Sequence, residues 1–127
     1  MASSEGDDPG IGDDEAVLRR IPEAFVVFDD NLQRLRPSTQ AFRQGGTNGP
    51  VSVYLLSATT PEEVSNEGHE PYLVSLRVGF LRELGPGIIR GPTYGGTGHC
   101  EIMGRKTRSI LDRLAKFAEW VEGYAPE

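Results

Sequence analysis

The hydrophobic positions after residue 16 fall into short segments that favour strands over most of the chain. Segments 17–21, 24–28 and 51–56 are apolar and rich in β-branched and aromatic residues, a composition typical of strands. Segment 72–78 alternates apolar and polar positions, which predicts a half-buried strand. Weaker signals predict further strands over three shorter segments, 32–36, 87–90 and 99–103. Residues 79–84 fit either one helical turn or more strand.

Two segments carry helix signals. Thr60-Pro61-Glu62-Glu63 has the composition of a capping box, so we predict a short helix that stops by Gly68. From about Thr107 to Glu122 apolar residues recur at helical spacing, and Gly123 is placed to end that helix. A single helical turn capped by Ser38 is also expected. The predicted fold class is α+β, in which a small mixed or mostly antiparallel sheet packs against one long C-terminal helix.

The first 16 residues differ in composition from the rest. They hold six of the 19 acidic residues and no Lys or Arg. With almost nothing to bury, 1–16 is predicted to be a disordered acidic tail, and 17–127 a single globular domain. A docking role for the tail is the alternative. The other 13 acidic residues balance all 13 basic ones, so no overall field attracts nucleic acid, which is not expected as a partner.

Cysteine content and hydropathy bear on the compartment. The chain has one cysteine, Cys100, which excludes an internal disulfide and fits a reducing compartment. No segment is long and apolar enough to span a bilayer, and the N-terminus lacks the basic and apolar regions of a secretory signal. We therefore predict a cytoplasmic protein that does not contact membranes.

The tripeptide His99-Cys100-Glu101 is one candidate for chemistry. Because side chains alternate across a strand, His99 and Glu101 would share one face and Cys100 would point to the other. That pair could act as a base with its orienting carboxylate, or with His69 as metal ligands. The chain has only these two histidines and no short ligand spacing, so no metal site is predicted. The preferred interpretation is a buried face, with Cys100, Ile102 or both in the core, and an exposed polar face opposite.

A second candidate resembles the site of ADP-ribosyltransferases. Those enzymes carry an Arg or His on an early strand, a Ser-Thr motif and a late-strand Glu, and Arg20 (or Arg19), Ser38 and Glu101 occur in that order. The resemblance implies that Arg20 grips the phosphate or ribose of NAD and that Glu101 stabilises an oxocarbenium-like transition state. The interval between Arg20 and Ser38 is short for such a site. Outside this hypothesis no cofactor is expected.

A third candidate is an anion site at Arg105, Lys106 and Thr107. These residues lie between a predicted strand and the start of the predicted C-terminal helix, where free amides, the helix dipole and two cations suit a phosphate or carboxylate. The segment does not match a Walker A loop. An ordinary turn with Thr107 as the helix cap is the alternative. The basic residues from Arg105 to Lys116 also allow weak nucleic-acid binding, although no stacking aromatics accompany them.

Four segments together resemble a set of small bacterial proteins without assigned activity. They are Arg-Arg-Ile-Pro at 19–22, Arg-Pro-Ser at 36–38, Ser-Val-Tyr-Leu at 52–55, and the run from His99 to Thr107. The resemblance covers about residues 17–121 and implies a bacterial or phage source, with no activity attached. Since no catalytic constellation is complete, the predicted function is a non-catalytic binding or adaptor module for a protein partner or an anionic ligand. A nucleotide-using enzyme and a weak nucleic-acid binder are the alternatives.

Overall fold

The computed structural model describes residues 6–44, 46, 48–92 and 98–126. Within them the chain forms eight strands, three α-helices and three short 3-10 helices. The strands are β1 Ala16–Ile21, β2 Val26–Asp29, β3 Arg34–Pro37, β4 Val51–Leu55, β5 Tyr72–Arg77, β6 Gly87–Arg90, β7 His99–Met103 and β8 Glu119–Trp120. The helices are α1 Pro61–Gly68, α2 Val78–Leu84 and α3 Arg108–Phe117, and the 3-10 helices are Glu23–Phe25, Thr39–Phe42 and Leu56–Ala58.

Six of the strands form one sheet in the order β6-β7-β4-β1-β5-β8, and every pairing is antiparallel. β2 and β3 form a separate antiparallel hairpin. β1 lies inside the sheet, with Leu18 opposite Tyr54 of β4 and Ser75 of β5. The α+β class and the antiparallel sheet are thus confirmed, in a strand order that periodicity alone does not encode.

Both faces of the sheet are at least partly covered. On one face α3 and the 3-10 helix Thr39–Phe42 bury Phe42 and Leu114 against Val17 and Val53. On the other face α1 packs Val64 against a smaller cluster made by Leu18, Tyr54 and Leu73. Burial of a large aliphatic or aromatic side chain contributes about 2 kcal/mol, so the larger cluster is the main source of stability.

The prediction of one long C-terminal helix is wrong. α3 ends at Phe117 because Ala118 takes an extended conformation, with φ −64° and ψ 141°. The chain then pairs with β5, placing Trp120 opposite Val74. Gly123, with φ +88°, turns the chain after this strand and does not end the helix. Apolar residues beyond 117 kept the helical spacing, but they pack as part of the sheet edge.

The other helix predictions have clear outcomes. α1 begins after Thr60, whose hydroxyl accepts the backbone N–H of Glu63 at 3.2 Å, and it ends at Gly68 as predicted. Segment 79–84, which fitted two structures, belongs to α2. Ser38 precedes the 3-10 helix Thr39–Phe42 without a capping hydrogen bond from its side chain. None of the described helices is long and apolar enough to cross a membrane.

Residues 7–13 of the predicted tail lie against the edge of the sheet. The Asp8 amide donates to the Ile88 carbonyl at 2.7 Å, and Ile11 is fully buried in the main core. Arg82 of α2 pairs with Asp7 at 3.0 Å and Asp13 at 2.5 Å. The sequence did not predict the burial of Ile11 or the ion pairs with Arg82, because both depend on residues that are distant along the chain. Residues 1–5 lie outside the described part of the chain.

Candidate functional site

A cavity of about 460 Å³ lies between the 3-10 helix Thr39–Phe42 and the N-terminus of α3. One wall comes from the 3-10 helix and the residue that follows it, and the other from the β7–α3 connection and the first turn of α3. The lining residues are Thr39, Gln40, Arg43, Arg105, Lys106, Thr107, Arg108 and Leu111. The cavity therefore contains all three residues of the predicted anion site.

Local backbone chemistry fixes the β7–α3 wall. β7 ends at Met103, and Gly104 turns the chain with φ +102°, a conformation that favours glycine. Thr107 caps α3, its hydroxyl oxygen accepting the Ile110 amide at 3.3 Å. The first amides of an α-helix have no partner within the helix and carry the positive end of its dipole. The capping role and the predicted anion site are compatible, because the Thr107 hydroxyl accepts from the Ile110 amide only.

Lys106 is the least expected residue of the cavity. Its side chain is only 1% exposed, and its ammonium donates to the Gly104 carbonyl at 2.8 Å. An ammonium has three N–H donors, so within the described residues two of them lack a protein acceptor. Burial lowers the pKa of Lys106 because it removes water from the charged form. A bound anion would supply both the missing acceptors and the missing counter-charge.

The other charged residues of the cavity have the same sign. Arg43, Arg105 and Arg108 are exposed, and none of them pairs with a carboxylate of the described residues. No acidic residue is among the described residues that line the cavity. By contrast, Lys116 later in α3 pairs with Asp112 at 3.1 Å. Four cations and a helix N-terminus thus line one cavity, and no carboxylate of the described chain neutralises them there, which suits an oxyanion.

The three residues of the ADP-ribosyltransferase-like hypothesis do not line one cleft. Arg19 and Arg20 are neighbours in β1, so their side chains leave opposite faces of the sheet. Arg19 donates to the Ala41 carbonyl at 3.0 Å, which places the 3-10 helix after Ser38 on its face. Arg20 donates to the Val64 carbonyl of α1 at 2.7 Å, on the opposite face. Ser38 is therefore separated from Arg20 by the sheet.

Arg20 and Glu101 do share a face. The Arg20 guanidinium lies 4.6 Å from the centre of the Tyr54 ring, and Tyr54 packs against His99 at 5.6 Å between ring centres. Glu101 lies opposite Ser52, two residues along β7 from His99. Arg20 also pairs with Glu67 of α1 at 3.6 Å. Its donors therefore hold α1 on the sheet, a structural role that leaves fewer of them for a substrate.

His99 makes a contact that the sequence did not predict. Its Nδ1 lies 3.1 Å from the Pro92 carbonyl and its Nε2 lies 3.2 Å from the Ser52 hydroxyl. A carbonyl can only accept, so Nδ1 carries a proton, and in the neutral ring the Ser52 hydroxyl donates to Nε2. Both ring nitrogens are thus engaged with groups other than Glu101, so the base-and-carboxylate pair that the shared strand face allowed is not formed.

Cys100 is buried, whereas His69 is exposed. Cys100 is buried in the main core, and burial raises the pKa of its thiol, which makes it a poor nucleophile at neutral pH. His69 is exposed at the end of α1. Among the described residues, no three His, Cys, Asp or Glu side chains lie together as a metal site requires.

Sequence reasoning missed one whole wall of the cavity. It selected Arg105, Lys106 and Thr107 because they adjoin a helix N-terminus, but it did not associate Thr39, Gln40 or Arg43 with them. Arg43 ends a single 3-10 turn about 60 residues earlier in the chain, and only the packing of that turn on α3 brings the two together. No local signal carries that information.

Comparison of the chain with protein-family models, curated proteins and solved structures found no match in any of the three.

Proposed function

We propose that the protein is a non-catalytic binding module whose ligand is an anion held in the cavity between the 3-10 helix Thr39–Phe42 and α3. The observation that carries this proposal is the buried ammonium of Lys106, which is incompletely bonded within the described residues and lies in a cavity whose described lining adds three further cations and no carboxylate. Burial of a charge without a partner is costly, so an anion in the cavity would stabilise the folded protein. Arg43, Arg105 and Arg108 would supply bidentate contacts to oxygen acids.

The test is a thermal-shift and calorimetric screen of the full chain at low salt with phosphate, pyrophosphate, sulfate and citrate. A ligand at 100 times its dissociation constant adds about 2.7 kcal/mol to the free energy of unfolding, which raises Tm by roughly 10 °C for a domain of this size. The affinity should fall as salt concentration rises, because the contacts are largely ionic.

Variants identify the site. Arg43→Gln and Arg108→Gln remove charge from exposed side chains at opposite walls of the cavity, and each should weaken anion binding about tenfold, the effect of one lost charged hydrogen bond. Arg113→Gln is the matched control, because Arg113 is exposed on the same helix but does not line the cavity. Equal affinity in all three variants, or no anion binding at low salt, would overturn the proposal.

A second candidate, binding of a protein partner, rests on a separate surface. Phe117 at the end of α3 is 62% exposed and packs edge-on against Phe80, with 5.8 Å between ring centres. The two rings and Leu76 line a partly apolar cavity of about 240 Å³, and exposed aromatic side chains are favoured at interfaces. Replacement of Phe117 by Ser should abolish capture of a partner in pull-downs while leaving anion binding intact. Unchanged capture by this variant would exclude the surface.

A further inference from the structure

We propose that the anion is a phosphate monoester of a small, hydroxyl-rich and non-aromatic body, a sugar phosphate in chemical class. This inference rests on the proposed function and concerns the same cavity. It follows from three properties of the cavity: the number of open donors, the volume, and the chemical character of the uncharged lining residues.

The number of donors favours a phosphoryl group over a single carboxylate. Lys106 keeps two N–H groups without a protein acceptor in the described residues, and the first turn of α3 adds backbone amides that no helical carbonyl can accept. Arg43 and Arg108 bring two guanidinium forks. A phosphate monoester offers three terminal oxygens and close to two negative charges at pH 7, whereas a carboxylate offers two oxygens and one charge.

The volume favours a phosphate that carries a substituent. The cavity measures about 460 Å³, which lies in the range of sites that hold a whole small molecule. An inorganic phosphate would fill only a small part of this volume and leave the remainder to water.

The uncharged lining indicates what the substituent is. Thr39 and Gln40 present a hydroxyl and an amide along the 3-10 helix wall, and both groups donate and accept hydrogen bonds. Leu111 is the one apolar side chain among the described lining residues, and none of them is aromatic. Nucleobases are commonly held by stacking on aromatic rings, so the lining favours hydroxyl groups over a base.

The experiment is isothermal titration of the full chain at low salt with inorganic phosphate, ribose 5-phosphate, AMP, ribose and citrate. We expect ribose 5-phosphate to bind about tenfold more tightly than inorganic phosphate, equivalent to one or two added neutral hydrogen bonds. AMP should bind no more tightly than ribose 5-phosphate, citrate should bind more weakly, and ribose alone should give no heat. Gln40→Ala should weaken ribose 5-phosphate several-fold and leave inorganic phosphate unchanged, because Gln40 is exposed and uncharged.

The outcomes separate this inference from the proposed function. Equal affinity for inorganic phosphate and ribose 5-phosphate, tighter binding of AMP or citrate, or an effect of Gln40→Ala on inorganic phosphate would overturn the ligand class while anion binding stands. Absence of binding by every anion, or binding unaffected by Arg43→Gln and Arg108→Gln, would overturn both.

Discussion

Lys106 holds a charge where water has little access, and that conflict makes its side chain a direct probe of the site. In Lys106→Met the apolar stem keeps its packing while the ammonium and its desolvation cost are removed. At pH 7 without ligand we expect the free energy of unfolding to stay equal or to rise by about 1 kcal/mol, since the buried charge was costly. Anion affinity should fall at least tenfold in the same variant. Urea denaturation and calorimetry measure the two quantities.

A large loss of stability in Lys106→Met would contradict this account, because it would mean that the ammonium stabilises the fold through contacts other than the single bond to Gly104. Lys106→Arg is the control that retains charge. Its larger planar head does not fit the same buried space, so it should lower stability.

Arg19 is a half-buried cation that differs from Lys106, since three of its five N–H donors have acceptors among the described residues. Its guanidinium donates to the carbonyls of Ala41 and Ser52 and to the side-chain oxygen of Gln44. Burial lowers its pKa to about 10, so it stays protonated at neutral pH. Arg19→Met should lower the free energy of unfolding by about 3 kcal/mol, the effect of several lost charged hydrogen bonds.

The measurement for Arg19→Met is urea denaturation beside Arg113→Met, an exposed position where the loss should stay under about 0.5 kcal/mol. Similar losses at the two positions would show that Arg19 does not tie the 3-10 helix to the sheet. The sequence could not distinguish Arg19 from Arg20, because adjacent strand residues differ only in the face they occupy and both faces here are partly covered.

The C-terminal elements show where periodicity fails as a predictor. The apolar spacing predicted α3 and its cap at Thr107, and both are present. The apolar spacing could not show that the helix ends before Ala118. An apolar residue at position 120 fits the apolar face of a longer helix as well as a strand. Tertiary contacts decide between helix and strand here, since Trp120 lies opposite Val74 and its ring packs edge-on against Tyr72.

Trp120→Phe tests that tertiary choice. The Trp120 indole N–H donates to the Leu35 carbonyl at 3.0 Å, which joins β8 to the β2–β3 hairpin. Phe keeps most of the apolar contact and loses the bond, so we expect unfolding to become easier by about 1 kcal/mol. Amide exchange in the hairpin should also quicken. An unchanged hairpin exchange rate would show that the indole bond does not link the two elements.

Arg82 is one anchor of the N-terminal segment, and it contacts Asp7, Asp13 and the Asp8 carbonyl. In Arg82→Gln these contacts weaken, and the Asp8 amide at the edge of β6 should exchange roughly tenfold faster, as expected for local opening. Arg77→Gln is the control, since Arg77 is exposed and makes no ion pair with the described residues. Protection of Asp8 that survives in Arg82→Gln would mean that the buried Ile11 and the backbone hydrogen bonds to Ile88 and Gly79 hold the segment without Arg82.

At the scale of the whole molecule, the sequence predicts individual secondary-structure elements better than their arrangement in the fold. Most strands and α1 follow from local alternation and capping. The order β6-β7-β4-β1-β5-β8 joins strands far apart in the sequence, and the cavity depends on the same long-range packing. Hence three residues of the cavity could be predicted from neighbours in the chain, while Arg43 could not.

The free energy of unfolding should fall at acid pH because of two carboxyl groups, Asp29 and Glu15. The Arg36 guanidinium and the Leu32 and Asn31 amides lower the pKa of Asp29 below 3.8, and the Gly12 amide with the Ser57 hydroxyl lowers that of Glu15 below 4.5. A lowered native pKa stabilises the fold fully above the unfolded value, and the contribution is lost as pH falls through the native value. The free energy of unfolding should therefore decline below about pH 4.5. The decline should be shallower in Asp29→Asn, and a parallel decline in that variant would exclude Asp29 as a source.

The alkaline limb separates two buried groups with opposite effects. Burial lowers the pKa of Lys106 from 10.5, so the unfolded chain binds more protons between the two values and stability rises with pH there. Burial raises the pKa of Cys100 from 9.0, which makes stability fall as pH increases above that value. Both the wild-type protein and Lys106→Met contain Cys100, so subtracting their free energies of unfolding removes the contribution of the cysteine. That difference should shift in favour of the wild type as pH rises from 7 toward 10.5. A saturating anion at pH 7 should shift it in the same direction. The reason is that deprotonation removes the buried charge of Lys106 and a bound anion neutralises it.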